Sequence, residues 1–382
     1  MKIGIEAQRL FRKKKHGMDI VVLELIKNLQ KIDKKNEYVI FVKPDVDKCI
    51  EETKNFKINC LKSKNYFTWE QFALPRAAEK EKCDILHCTS NTAPLKIKIP
   101  MVVTIHDIIY LENLSIFKKG GTWYQKLGNM YRRWIVPIIA NNAKKIITVS
   151  EFEKKRINKF FNFDEKNKKL FAIYNGFGKH FESIDDKVFL EKIKKKYNLP
   201  KKFFFFLGNT DPKKNITGVL KAYNLFLQKS KEKISLVILD FKKNELKKIL
   251  KEINAENLIQ NINLLDYVPN TELPGIYNLC EIFLYPSLRE SFGIPILEAM
   301  ACGAPVITSN TSSMPEISKD ASILINPYKF EEITDAIFHI LENENLKNIK
   351  IKKGLERIKL FSWNNMAKKV LSLYETIRDK NY

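Results

Sequence analysis

Residues 285–309 read YPSLRESFGIPILEAMACGAPVITS. Tyr285 closes a β-branched and aromatic run, a polar loop follows, and Pro295 opens a short apolar stretch that Gly303 stops before a second β-rich run reaches Ser309. Proline suits the first turn of a helix, where its missing N–H removes no bond, and glycine suits the position just past the end. The segment therefore reads as strand, loop, short helix and strand, the repeating unit of a parallel sheet. The amides of Phe292, Gly293 and Ile294 at the helix start lack partners within the helix and carry the positive end of its dipole, which makes a seat for phosphate. Gly293 lets a ligand approach the backbone closely.

The same alternation runs outward in both directions. Strands are predicted at 2–7, 38–42, 58–61, 85–88, 101–105, 145–149 and 170–173, then at 203–208, 235–239, 262–267, 282–285, 305–309 and 322–325, with helices between them, including 19–32 and 122–142. Asn175-Gly176 and the basic stretch up to Pro200 break the periodicity and read as a connector. A chain of 382 residues is too long for one core. The expected organisation is a first domain over 1–178, a linker over 179–200, a second domain over 201–362, and a closing segment 363–382 that holds a last amphipathic helix, 363–379. Two doubly wound α/β domains of this kind bind ligands along the carboxyl ends of their strands, in a cleft where they face each other. No tandem repeat or heptad run interrupts the pattern.

With 45% hydrophobic, 29% charged and 11% aromatic residues, the composition is that of an ordered globular chain. Sixty-seven basic against 44 acidic residues give a net charge of +23, a field that favours polyanions. Much of the excess is lysine in short clusters, such as 12–15, 194–196 and 350–353, without the aromatic platform of a single-strand binder, so no nucleic-acid partner is expected. Six cysteines without C-x-x-C spacing point to a reducing cytoplasm rather than disulfides or zinc. The start of the chain reads as a strand, not a signal peptide, and no apolar run approaches 18 residues. Stretches 134–140 and 203–207 read as core. Any membrane contact is expected to be peripheral, on an anionic inner face.

Glu290 lies in the loop before the short helix and Glu298 about one turn inside it. A carboxylate accepts two hydroxyl hydrogens at once, which suits ribose and sugar diols; taken singly, each also reads as an ordinary surface glutamate. Together with its surroundings the string resembles the E-x7-E signature of the retaining glycosyltransferases of family 4, and the similarity extends over nearly the whole chain. The resemblance implies a GT-B fold, with 1–178 on the acceptor side, 201–362 binding the nucleotide sugar and the closing helix returning to the first domain, in which Glu290 contacts the donor sugar, Ser291, Phe292, Gly293 and Ile294 line sugar and phosphate, and Glu298 holds the ribose. Residues 208–215 resemble the family's phosphate loop. Gly208 ends the strand and Lys214 matches the phosphate-binding lysine; many members also carry an arginine where Asn209 and Thr210 stand here, so a second cation in the clamp requires Lys213 to substitute for it. By the same resemblance Tyr267 and Val268 lie near the base, Gly17 nears the diphosphate, and His106 lies near the donor sugar. Met18, Asp19 and Ile20 replace a second glycine and an Arg-Tyr pair. The strings 148–152 and 313–317 match as well, with Ser150 and Glu151 suited to capping a helix.

The reaction so implied moves a glycosyl group from a sugar nucleotide with retained configuration, catalysed by Glu290, His106 and Lys214. Neither cofactor nor metal is expected, since no His/Cys cluster or Asp-x-Asp metal loop is read at the site. GDP-mannose is the first donor expectation and a UDP-sugar the second; the acceptor is a glycan or lipid-linked glycan. The alternatives are a phosphorylase or epimerase of the same fold, and a catalytically silent basic scaffold.

Overall fold

The computed structural model describes residues 1–112, 123–163, 168–209 and 211–378, and the side chains of all of these except 123–126 and 378. Thr122, Asp379 and Thr210, which figure in the readings above, lie outside them. The chain divides into two compact units, Met1–Gly176 with Ser362–Tyr382, and Phe177–Phe361.

In the first unit the strands are β1 (Lys2–Glu6), β2 (Glu37–Val42), β3 (Phe56–Cys60), β4 (Ile85–Cys88), β5 (Met101–Thr104), β6 (Lys145–Thr148) and β7 (Leu170–Ala172). They pair in parallel in the order β3-β2-β1-β4-β5-β6-β7. Six further strands, β8 (Phe203–Leu207), β9 (Ser235–Leu239), β10 (Ile262–Leu265), β11 (Ile282–Tyr285), β12 (Val306–Ser309) and β13 (Ile323–Ile325), make a second parallel sheet in the order β10-β9-β8-β11-β12-β13. Each sheet reverses direction of build once, between β1 and β4 and between β8 and β11, and such a reversal opens a crevice at the carboxyl ends of the two strands.

Burial on both faces explains why the strands read as unbroken apolar runs. In β8, Phe204 and Phe206 turn to one face, where Phe204 meets Phe226 at 5.1 Å between ring centres, while Phe205 turns to the other and meets Tyr277 at 5.2 Å. In the first unit one face packs Val39, Phe41, Leu86 and Val103 against Leu74, Ile135 and Ile139. On this unit's C-terminal helix, Trp363–Arg378, the hydroxyl of Tyr374 lies 2.6 Å from Nδ1 of buried His87. Nε2 of His87 lies 2.7 Å from Oγ1 of Thr104, and burial lowers the pKa of the ring to about 3, so this histidine is a neutral tie between helix and sheet.

Two readings need correction. The stretch 179–200 is no free linker: residues Lys187–Lys196 form a helix of the second unit. Its buried Ile193 lies so close to Gly275 that a Cβ there would come within 2.9 Å of it, and Lys196 and Tyr197 both bind Glu272. One apolar seam on an otherwise lysine-rich helix was too narrow to register as periodic. The stretch 134–140 is only half core. Within the helix Trp123–Asn142, Ile135, Val136 and Ile139 are buried, whereas Trp134 and Ile138 keep 53% and 38% of their surface.

Candidate active site

The loops after β8 and β11, the two strands that flank the reversal in the second sheet, bring the charged residues together. After β8, Asp211 caps a 3₁₀ turn, Pro212–Lys214, by accepting from the amide of Lys213. Asn215 then adopts φ +62°, and its side-chain amide donates to the carbonyls of Pro286 and Pro327, lashing this loop to those after β11 and β13. The turn aims Lys214 at the β11 loop. Its Nζ donates to Oε1 of Glu290 at 2.7 Å and to the hydroxyl of Tyr285 at 2.8 Å, and it stands 4.7 Å from the centre of the Tyr285 ring.

The backbone of Glu290 is held from the neighbouring loop. Its amide donates to Ser312 Oγ, and its carbonyl accepts from Arg289, Ser312 and Ser313. Ser313 also donates to the carbonyl of Phe292. Burial would raise the Glu290 carboxyl, but the charges of Lys214 and Lys213 and hydrogen bonds from Lys214 and Tyr285 outweigh it and hold it below the usual carboxylate range. Glu290 is thus an anion with its cation already in place.

Gly293 follows at φ +102°, ψ +50°, the turn that starts the helix Ile294–Ala301 with Pro295 in its first turn. A Cβ on Gly293 would sit 3.2 Å from Ile296 Cδ1 in a backbone conformation that side chains disfavour. Phe292 is buried and Ser291 partly so. Glu298, one turn in, is partly buried; burial pushes its carboxyl up to about 7, against a weak pull from the Tyr277 hydroxyl at 3.4 Å. Two carboxylates on one short segment therefore sit in opposite states, one firmly ionised and one near its midpoint at neutral pH.

Of the remaining expected residues, Gly208 ends β8 against Phe206, Val268 is buried, and Tyr267 keeps 78% of its surface. His106 and Gly17 belong to the first unit. Buried His106 follows β5; its amide donates to Asn91 Oδ1 at 2.6 Å and its Nε2 lies 3.0 Å from the carbonyl of Thr89. Burial lowers its pKa, so the ring is neutral, with Nε2–H donating to that carbonyl and Nδ1 left as an acceptor. Gly17 opens the helix Gly17–Ile32 with open space where its Cβ would be, and Asp19, the departure from the family pattern, accepts from the His16 amide and pairs with Arg9 at 3.1 Å. Ser150 caps the helix Glu151–Phe161 through the amide of Glu153.

Two family models match the chain side by side, "Glycosyltransferase Family 4" over residues 16–178 and "Glycosyl transferases group 1" over residues 189–357. The chain belongs to the group 1 glycosyltransferases. This glycosyltransferase is 29% identical over 276 residues to O-antigen chain mannosyltransferase B of Escherichia coli, covering 72% of this chain and 70% of that one. It is 28% identical over 269 residues to the serotype-specific mannosyltransferase WbdA of the same organism, but spans only 32% of that longer protein. Among solved structures, sucrose-phosphate synthase from Thermosynechococcus elongatus superposes with a TM-score of 0.74 at 18% identity over 99% of both chains. HepE of Anabaena in complex with UDP and glucose gives 0.74 at 16% identity, over 98% of this chain and 99% of that one. These structures share the GT-B fold of this glycosyltransferase.

The glycosyltransferase also carries residues that sequence reasoning passed over. Tyr285, Arg289, Asn215, Ser312 and Ser313 brace Lys214 and Glu290; only the parallel order of β11 and β12 brings the loops after them together. The sequence does hold one Asp-x-Asp triplet, Asp45-Val46-Asp47, which the sequence reading did not weigh. Lys15 pairs with Asp47, and among the described residues no three His, Cys, Asp or Glu side chains are grouped as a metal site needs.

Proposed function

We propose that this glycosyltransferase moves a sugar from a nucleoside diphosphate to a glycan or lipid-linked glycan during polysaccharide assembly, with retained anomeric configuration and no metal or cofactor. The observation that carries it is Lys214 paired with Glu290 beside the glycine-started helix Ile294–Ala301. As the bond between the anomeric carbon and the diphosphate breaks, its electron pair goes to the diphosphate, and Lys214 with the amides of Gly293 and Ile294 takes up that charge. Lys213 is the second cation of this seat. The acceptor oxygen bonds to the anomeric carbon from the face the diphosphate leaves, and its proton passes to the departing diphosphate oxygen. Glu290 orients donor-sugar hydroxyls and balances positive charge at that carbon, and neutral His106 accepts from a hydroxyl through Nδ1. Glu298 takes the ribose diol, and the segment of Tyr267 and Val268 meets the base.

Similarity to O-antigen mannosyltransferases supports GDP-mannose as the donor. A panel of sugar nucleotides with mass detection of nucleotide release, with and without EDTA, tests this reading; release from GDP-mannose that survives the chelator is expected. Loss with EDTA restored by magnesium would remove metal independence, no release from any donor would favour the silent scaffold, and the anomeric configuration of the product, read by NMR, tests retention.

Peripheral contact with an anionic membrane at the cytoplasmic face belongs to the same proposal. Leu127, Met130, Trp134 and Ile138 lie on one side of the helix Trp123–Asn142 and all are exposed, and Phe67 and Phe72 add exposed rings joined to them through Tyr131. With a net charge of +23, such a face suits the interface of an anionic bilayer. Among the described residues no helix is long and apolar enough to cross one.

A further inference from the structure

In the first unit, the loops following β1 and β2 and the turn before Tyr66 border an open cavity of about 660 Å³. Arg9, Arg12 and Lys43 line it, against a single carboxylate, Asp45, and Tyr66 and Phe67 form an aromatic side. The cations are under-compensated. Arg9 Nε stands 3.1 Å from Asp19, but neither it nor the buried Nη2 has a hydrogen-bond partner among the described residues. Arg12 and Lys43 are exposed and make no ion pair among the described residues.

The walls are held in place before any ligand arrives. The amide of Lys43 donates to the carbonyl of Gln8, joining the two strand-end loops. The hydroxyl of Tyr66 lies 2.6 Å from Thr92 Oγ1 and 2.8 Å from Glu70, a carboxylate only 2% exposed that also receives Tyr131 at 2.5 Å. A buried carboxylate fixing the ring from behind leaves its face, rather than its hydroxyl, for the cavity.

We propose that this cavity binds a phosphoryl or diphosphoryl group carried by the acceptor, the adjoining aromatic side covering the group attached to it. The exposed guanidinium of Arg12 and ammonium of Lys43, with the charge of half-buried Arg9 behind them, suit phosphate oxygens, and the volume is that of a small-ligand site. That the ligand is the acceptor rests on the proposed function; the anion site itself does not. A lipid-linked diphosphate and a soluble sugar phosphate share this chemistry.

The test is calorimetric titration of the full chain with inorganic pyrophosphate at 0.15 M salt, a concentration chosen to screen diffuse attraction to a basic surface. Two sites are expected. One disappears in Lys214→Ala and is displaced by GDP or UDP; the other weakens at least about 10-fold in the double variant Arg12→Ser, Lys43→Ser and is indifferent to nucleotide. Both substituted side chains are exposed, so the fold should persist by circular dichroism, and Lys43→Arg should retain binding. Farnesyl diphosphate in phosphatidylcholine vesicles and glucose 6-phosphate in solution then separate the sources, the one that depends on Arg12 and Lys43 identifying the acceptor's chemistry. Pyrophosphate binding unchanged in the double variant overturns the proposal, as does failure of both phosphate carriers to bind. If instead nucleotide binds nowhere while the Arg12- and Lys43-dependent site persists, the donor reading fails and this one stands.

Discussion

Glu290 and Glu298 belong to one short segment but answer to opposite electrostatics, and their variants should fail differently. On the proposed role of Glu298, Glu298→Gln removes a ribose contact made throughout the reaction, so free nucleotide affinity should fall about 10-fold to 150-fold, the worth of one charge-assisted group. Calorimetry with GDP and UDP measures it. Glu290→Gln should instead lower single-turnover transfer with little change in nucleotide affinity, because its contact matters most as the sugar ring flattens. It also strands the Lys214 cation, whose side chain is only 12% exposed, and should cost about 3 kcal/mol of stability, the low end for breaking a buried pair; a denaturant titration reads this. The two also have opposite pH signatures. Glu290 is held below its ordinary range, so its stabilisation is present at neutral pH and lost as pH falls through the folded value. Glu298, raised to about 7, contributes stability at low pH that is lost as pH rises through 7. Nucleotide affinity should move the other way, rising between about pH 6 and 8 as Glu298 becomes the full acceptor of a diol, and Glu298→Gln should flatten that rise.

At the level of elements, the helix Ile294–Ala301 depends on the backbone of Gly293. Gly293→Ala places a side chain at φ +102° and should cost about 1–2 kcal/mol, while its methyl group stands where phosphate would approach; a thermal melt and a nucleotide titration should both report the loss. The exposed face of Trp123–Asn142 carries a separate prediction. Trp134→Glu should abolish co-sedimentation with phosphatidylglycerol vesicles at low salt and leave the melt unchanged; equal recovery of wild type in the supernatant of neutral and anionic vesicles would discard the membrane contact. Much of this element pattern was legible in the residues. All thirteen strands among the described residues were read within about two residues, because runs such as Phe203–Leu207 are buried on both faces and need no partner to be recognised. Lys187–Lys196 was missed because its seam matches a surface, on the second unit, that becomes visible only after folding. The site divides the same way. Glu290, Lys214 and Gly293 stand out by local chemistry, whereas Ser312 and Ser313 act from a different loop and carry no signal of their own.

For the molecule as a whole, the first unit is built from two pieces of chain, Met1–Gly176 and Ser362–Tyr382, with all of the second unit between them. The join is tight: a Cβ on Gly176 would fall 2.2 Å from the amide nitrogen of Trp363. Gly176→Val should therefore unseat the start of the C-terminal helix, and removing 363–382 should uncover the side chains that Val370, Leu373 and Tyr374 bury against; both changes should lower the melting temperature of the first unit while residues 177–361 still resist protease. On the ribosome this arrangement reverses the usual order, in which the amino-terminal domain finishes first. The leading sheet must emerge and wait, its groove for that helix open to water and to chaperones, until the whole second unit has been made. A nascent chain stalled just beyond residue 361 and given room to clear the exit tunnel would then hold a finished second half and an unfinished first one.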